Sequence, residues 1–208
     1  MCSTISKTAQ IAPTATILDG VTIGENVVIG DGVWIDRGCI IRDNVRIGNN
    51  SRIGARCILG EYLQDFYREL HKGEHPLVIG ENALIRSETI IYGDTTIGTR
   101  FQSGHRVTIR EHTRIGDHVG TLSDIQGYCT LEDYVHIHSN VHVGQRSIVR
   151  RFAWLFPYVV LTNDPQPPSM KMLGVEIGPF AVVATGTVVL PGVHIGQDAL
   201  VGAASVVT

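Results

Sequence analysis

Aromatic side chains make up only 6% of this 208-residue chain, which excludes a core built around large rings. Charge of one sign is missing as well. The 17 Lys and Arg against 20 Asp and Glu leave a net of −3 with no basic run, which argues against a nucleic-acid partner. No stretch approaches the roughly 18 apolar residues of a membrane span. The opening segment MCSTISKTAQ has no apolar h-region, so a cytoplasmic protein without a membrane span is expected. The four cysteines, Cys2, Cys39, Cys57 and Cys129, show neither a CxxC pair nor a metal spacing.

What the chain does have is a six-residue rhythm. Ile11, Ile17, Ile23, Ile29, Ile35, Ile41, Ile47, Ile53 and Leu59 each follow the last by six residues. Further runs start at Ile79, Val119 and Ile177. The fifth place of each hexad is small or β-branched, and Cys39, Cys57 and Cys129 fall there, as small core residues would. Phe101 is the bulky exception. Turn-forming residues fill the third and fourth places. This period fits neither an amphipathic helix nor an alternating sheet. It predicts hexapeptide repeats wound into an all-β parallel β-helix, three hexads to a coil, with coils stacked about 4.8 Å apart. A single domain over 1–208 is expected.

The breaks in phase point to function, because a regular stack needs no loops for stability. Leu59 and Ile79 are 20 residues apart, which places an excursion at about 61–76; Tyr62, Phe66 and Leu70 there suggest a short helical turn. Ile115 and Val119 are four apart, a two-residue deletion. Leu161 and Ile177 are 16 apart, which predicts a loop at about 162–174.

The segments IGENVVIGDGVWI, TRIGDHV and TGTVVLPGVHIGQDALVGAASVV resemble the hexapeptide-repeat acyltransferases, which fold as left-handed parallel β-helices. The likeness covers nearly the whole chain, and it alone implies the left hand. GHRVTIRE, HSNVHVG and FPYVVLTNDPQPPS are similar to segments of N-acetyltransferases acting on amino sugars of nucleotide-linked sugars in surface polysaccharide synthesis. That resemblance implies acetyl-CoA as co-substrate, a small-molecule sugar acceptor and a homotrimer with sites in the clefts between subunits. Transfer to oxygen, or from acyl-carrier protein, stays open as the alternative.

Acyl transfer needs a general base, for which imidazole is suited near neutral pH. His105 leads the candidates. It sits third in its hexad after Gly104, which resembles the place of the catalytic histidine in the UDP-N-acetylglucosamine acyltransferase branch. Two departures from the repeat, Phe101 and Ser103, lie beside it. The bland reading is a solvated corner histidine. His138 is the second candidate base. Asn163 and Asp164 could orient a substrate or simply form the turn before Pro165. Arg106 and Arg110 could meet a nucleotide diphosphate or only solvent. Ala184 and Gly186 would leave a groove whose backbone groups bond the pantetheine amides, or they merely obey the repeat. No metal is expected: the HxxxxH pair of a γ-type carbonic anhydrase is absent, since His138 and His142 are four apart and His136 and His142 six apart. A non-catalytic assembly subunit is the remaining rival.

Overall fold

The computed structural model of the protein describes residues 3–63 and 73–208. Phe66 and Leu70 of the expected helical turn, and Cys2, lie outside the described residues. The chain falls into two compact units, Met1–Arg106 and Val107–Thr208, and each is a stack of coils.

In each unit, very short strands form three parallel faces. In Met1–Arg106 the first face holds Thr4–Ile5, Thr22–Ile23, Ile40–Ile41, Ile58–Glu61 and Ile90–Tyr92, hydrogen-bonded in that order. The second runs from Gln10–Ile11 to Thr95–Ile97, and the third from Thr16–Ile17 to Gln102–Ser103. In Val107–Thr208 the first face runs from Thr108–Ile109 to Val206–Val207, the second from Arg114–Ile115 to His194–Ile195, and the third from Gly120–Thr121 to Leu200–Val201. This is the all-β parallel β-helix that the hexad rhythm predicts.

The register explains the rhythm. Ile5 pairs with Ile23, Ile23 with Ile41, Ile41 with Leu59 and Leu59 with Ile91, so the aliphatic first places stack as one inward ladder. Ile41 and Leu59 are fully buried. Each such side chain contributes about 1.5–3 kcal/mol by leaving water. Main-chain bonds run from coil to coil, such as Thr22 N–H to the Cys39 carbonyl at 2.9 Å and Ile40 N–H to the Cys57 carbonyl at 2.9 Å. Cys39, Cys57 and Cys129 are free, buried thiols at the fifth places.

One boundary differs from the sequence reading. The strand after Arg114–Ile115 is Gly120–Thr121, paired as Gly120 to His136 and Thr121 to Ile137. Val119 therefore holds the small fifth place, and buried Thr121 replaces the inward aliphatic residue. The two missing residues fall between Thr121 and Ile125. Ser123 closes that shortened corner: its hydroxyl donates to the His138 carbonyl and accepts the Val141 N–H at 2.8 Å. A threonine in an aliphatic place hid the true break.

Fourth places adopt left-handed backbone. Asn26, Asn44 and Asn50 do so in Met1–Arg106 (φ 55°, 61° and 57°), as asparagine readily does. In Val107–Thr208 bulky rings take the same conformation: Tyr134, Phe152 and Phe180 at φ 59°, 60° and 59°. Stacking offsets that strain. His118, Tyr134, Phe152 and Phe180 form a column with successive centroids 4.6, 4.8 and 5.0 Å apart. A Tyr134→Ala/Phe152→Ala double-mutant cycle, read by urea unfolding, should return a coupling of about 0.5–1.5 kcal/mol. Additive losses would show that the rings do not support one another.

Candidate functional site

Ser103 and Phe101, the two irregularities beside His105, have a packing explanation. Both are fully buried. The Ser103 hydroxyl accepts the Arg86 N–H at 2.9 Å and lies 3.4 Å from the Thr89 hydroxyl, while the Arg86 guanidinium donates to the Ser103 carbonyl. A polar pair thus occupies the interior, and the Phe101 ring supplies apolar bulk to that core.

His105 and Arg106 form the exposed turn that follows, with Arg106 in left-handed backbone (φ 57°) and its N–H bonded to the Ser87 carbonyl at 3.0 Å. A column of charge runs through this corner. Arg56 Nε donates to Glu88 Oε1 at 3.2 Å, and this guanidinium holds the Glu88 carboxyl below the usual carboxylate range. Arg106 and then His105 add to the same field. Among the described residues no hydrogen bond reaches the His105 ring. It has a base's access to solvent and nothing to fix its tautomer.

In Val107–Thr208, Arg110 is engaged by its neighbour. Its Nε and a terminal nitrogen reach the two Glu111 oxygens at 2.8 Å each, with Glu111 nearly buried. That pairing largely neutralises the cation a diphosphate would need. His138 is exposed, and its Nδ1 accepts the Ser139 N–H at 2.9 Å. A neutral ring held this way carries its proton on Nε2, the wrong tautomer for accepting one there.

The 162–174 loop is held by its own side chains. Asp164 accepts from Gln166 N–H at 3.0 Å, Ser169 N–H at 2.9 Å and Ser169 hydroxyl at 2.7 Å. Those bonds, Ser169 first, keep its carboxyl below the usual carboxylate range. Asn163 accepts the Leu173 N–H through its carbonyl at 2.7 Å and turns its side-chain amide to the Met172 sulfur at 3.5 Å. Turn chemistry therefore occupies Asp164 fully. The backbone N–H groups of Ala184 and Gly186 are also in use, donating to the Val201 and Pro157 carbonyls at 3.0 and 3.1 Å. They have no free donor for a pantetheine amide. A Cβ on Gly186 would meet nothing within 4 Å, so the surface beside it is open.

The sequence reading points to the 61–76 excursion but assigns no site residue at the corner where it leaves and rejoins the stack. Arg42 donates to the Tyr62 hydroxyl at 3.2 Å, lies over the Tyr62 ring at 4.2 Å and reaches Glu61 at 3.4 Å. Arg42 Nε is buried without a hydrogen-bond partner among the described residues. At the same corner His75 Nδ1 lies 2.7 Å from Asp94 Oδ2. Two signals were present in the sequence: a histidine closing a phase break, and an aspartate in the turn of the next coil.

Residues 26–61 match the bacterial transferase hexapeptide family of six repeats, and residues 14–37 match the hexapeptide repeat of succinyl-transferase. By repeat and fold the chain is a hexapeptide-repeat protein, and it is similar to the acyltransferases of that kind. It is 37% identical over 108 residues to an acyl-[acyl-carrier-protein]–UDP-N-acetylglucosamine O-acyltransferase of Burkholderia lata, and 39% identical over 108 residues to that of Burkholderia thailandensis. These alignments span 51% of this chain and 36% of each relative. Among solved structures, the UDP-N-acetylglucosamine acyltransferase of Francisella novicida matches with a TM-score of 0.68 at 27% identity, over 77% of this chain and 64% of that one. The Moraxella catarrhalis O-acyltransferase matches in fold alone, with a TM-score of 0.55 at 22% identity over 89% and 64%. The chain thus covers less than two thirds of these relatives' length.

His138→Ala should leave most of the turnover intact, because the Ser139 contact fixes the unproductive tautomer. A fall in kcat of roughly 10²–10⁴, the loss expected on removing a base, would show that the ring releases Ser139 during the reaction.

Proposed function

We propose that this chain is an acyltransferase that moves an acyl group from an acyl-carrier-protein thioester to a hydroxyl of a UDP-N-acetylglucosamine-type nucleotide sugar. The observation that carries the reading is the 37% identity over 108 residues to an O-acyltransferase of that description. The Francisella match at 27% identity supports it. The reading takes the alternative left open by the sequence in place of amine acetylation from acetyl-CoA, since the relatives' names carry acyl-carrier protein and oxygen.

The chemistry asks little of the protein. A base removes the hydroxyl proton, the oxygen attacks the thioester carbonyl, and the thiolate departs with a proton. Backbone donors beside the carbonyl steady the oxyanion. Arg106, on its exposed turn beside His105, is the better placed of the two predicted arginines for a diphosphate, since Arg110 is committed to Glu111. We propose a homotrimer as the working form, following the family resemblance.

N-acetylation is kept as the second reading because the Asn163-Asp164-Pro165 segment resembles that of amino-sugar N-acetyltransferases. A single screen separates the two. Purified protein is offered acyl-carrier proteins of several chain lengths, or acetyl-CoA, with UDP-N-acetylglucosamine or a UDP-amino sugar bearing a free amine. Mass spectrometry should show one acyl increment on UDP-N-acetylglucosamine from acyl-carrier protein, removed by mild hydroxylamine as an ester. A hydroxylamine-stable product from acetyl-CoA would establish the N-acetyl reading instead. No transfer from any donor would overturn both.

A further inference from the structure

We propose that His75, oriented by Asp94, is the general base of this chain; the assignment rests on the acyl-transfer reading above and names the residue that performs its proton step. The juxtaposition is local to the unit Met1–Arg106. His75 stands just before the strand Leu77–Ile79, and Asp94 occupies the left-handed turn (φ 54°) between Ile90–Tyr92 and Thr95–Ile97. Those strands are neighbours in the stack, with Leu77 paired to Thr95, so residues 19 apart in sequence meet across one coil spacing.

The contact is short and sheltered. Nδ1 to Oδ2 is 2.7 Å, and the two side chains are 36% and 21% exposed. A carboxylate at Nδ1 takes the Nδ1–H and leaves the lone pair on Nε2, the ring atom beside Gly73. This is the arrangement by which a buried carboxylate prepares an imidazole to accept a proton. Neither sequence-predicted histidine has it: the Ser139 N–H puts the His138 proton on Nε2, and no hydrogen bond sets the His105 ring among the described residues.

The backbone is shaped for this placement. A Cβ on Gly93 would come within 2.7 Å of the His75 Cβ and carbonyl oxygen, and one on Gly73 would overlap the His75 ring. Two glycines therefore leave the space that the imidazole and its main chain fill. The Gly93 N–H also donates to the Glu61 carbonyl at 3.0 Å, which ties the dyad to the cluster of Arg42, Glu61 and Tyr62. That cluster places a guanidinium, paired with Glu61 at 3.4 Å, and a phenol at the same corner.

The step balances without another reagent. As the acceptor oxygen forms its bond to the thioester carbon, its proton passes to His75 Nε2. As the tetrahedral intermediate collapses, the C–S bond breaks and the sulfur takes that proton from the imidazolium. Asp94 stays ionised and stabilises the cation between the two events.

The test uses the whole chain with acyl-carrier-protein donor and UDP-N-acetylglucosamine. His75→Gln retains a side-chain N–H for Asp94 and should lower kcat by roughly 10²–10⁴ with KM little changed. Asp94→Asn should lower kcat by a smaller factor, again without moving KM. In His75→Gly, added imidazole should restore turnover in proportion to its concentration, which a merely structural tether would not allow. His105→Ala should cost less kcat than His75→Gln. Histidine 15N NMR of the wild-type chain should show His75 protonated at Nδ1. An active wild type whose His75→Gln variant retains wild-type kcat, or a His75→Gly variant that imidazole fails to rescue, overturns the assignment alone. A wild type inactive with every donor overturns acyl transfer and the role of His75 with it.

Discussion

Everything in this protein depends on coil-to-coil main-chain hydrogen bonding in register. A bond such as Gly24 N–H to the Ile41 carbonyl at 2.8 Å fixes two things together: the height of the next coil and the place of every side chain on it. Because the stack is quasi-one-dimensional, no coil has support beyond its neighbours. Like places then stack on like places. This produces the inward aliphatic ladder, the aromatic column of Tyr134, Phe152 and Phe180, and the ionic column in which Arg150 sits between Glu132 at 2.8 Å and Glu176 at 2.6 Å. The Arg150–Glu132–Glu176 network is one-third exposed, so it fixes register more than it adds stability.

The same constraint restricts where extra chain can go. A strand cannot lengthen or slip without turning its inward residues outward, so insertion and deletion fall at corners. In Met1–Arg106 the excursion leaves after Ile58–Glu61 and returns at Leu77–Ile79; in Val107–Thr208 the loop leaves after Val160–Leu161 and returns at Glu176–Ile177. Each lies between the first and second faces of its unit. A register shift between Leu59 and Glu61, with Gly60 at φ 79°, releases the chain where the excursion begins. Rigid coils on either side then hold the returning residues in place, and His75 is one of them.

Much of this was legible in the sequence, because a period of six maps one-to-one onto corners and faces. The ladder, the buried cysteines and the positions of both long insertions follow from counting. The exceptions share a cause. Thr121 is read as a break because it is polar, yet its hydroxyl bonds the Ser123 carbonyl at 3.2 Å and so fits an inward place. Ser103 is read as a mark of function, yet Arg86 and Thr89 satisfy it and Phe101 adds apolar bulk nearby. A repeat consensus counts residue types. It does not register that a buried hydroxyl with partners costs little where an unpaired one costs about 1–3 kcal/mol.

Histidine shows the limit most clearly. Nine histidines can be ranked by place in the hexad, but catalytic use depends on which ring nitrogen is already occupied. That is set by a partner from another coil or from the next main-chain amide. For His138 the partner is the Ser139 N–H, which blocks the nitrogen that would accept a proton by putting the proton on the other. For His75 it is a carboxylate 19 residues away, brought close by stacking and admitted by the absence of side chains at Gly73 and Gly93. The repeat consensus names neither partner, so the rhythm alone does not rank these histidines. The register carries Asp94 to His75, and the tautomer that follows separates a histidine able to take a proton from one able only to give it.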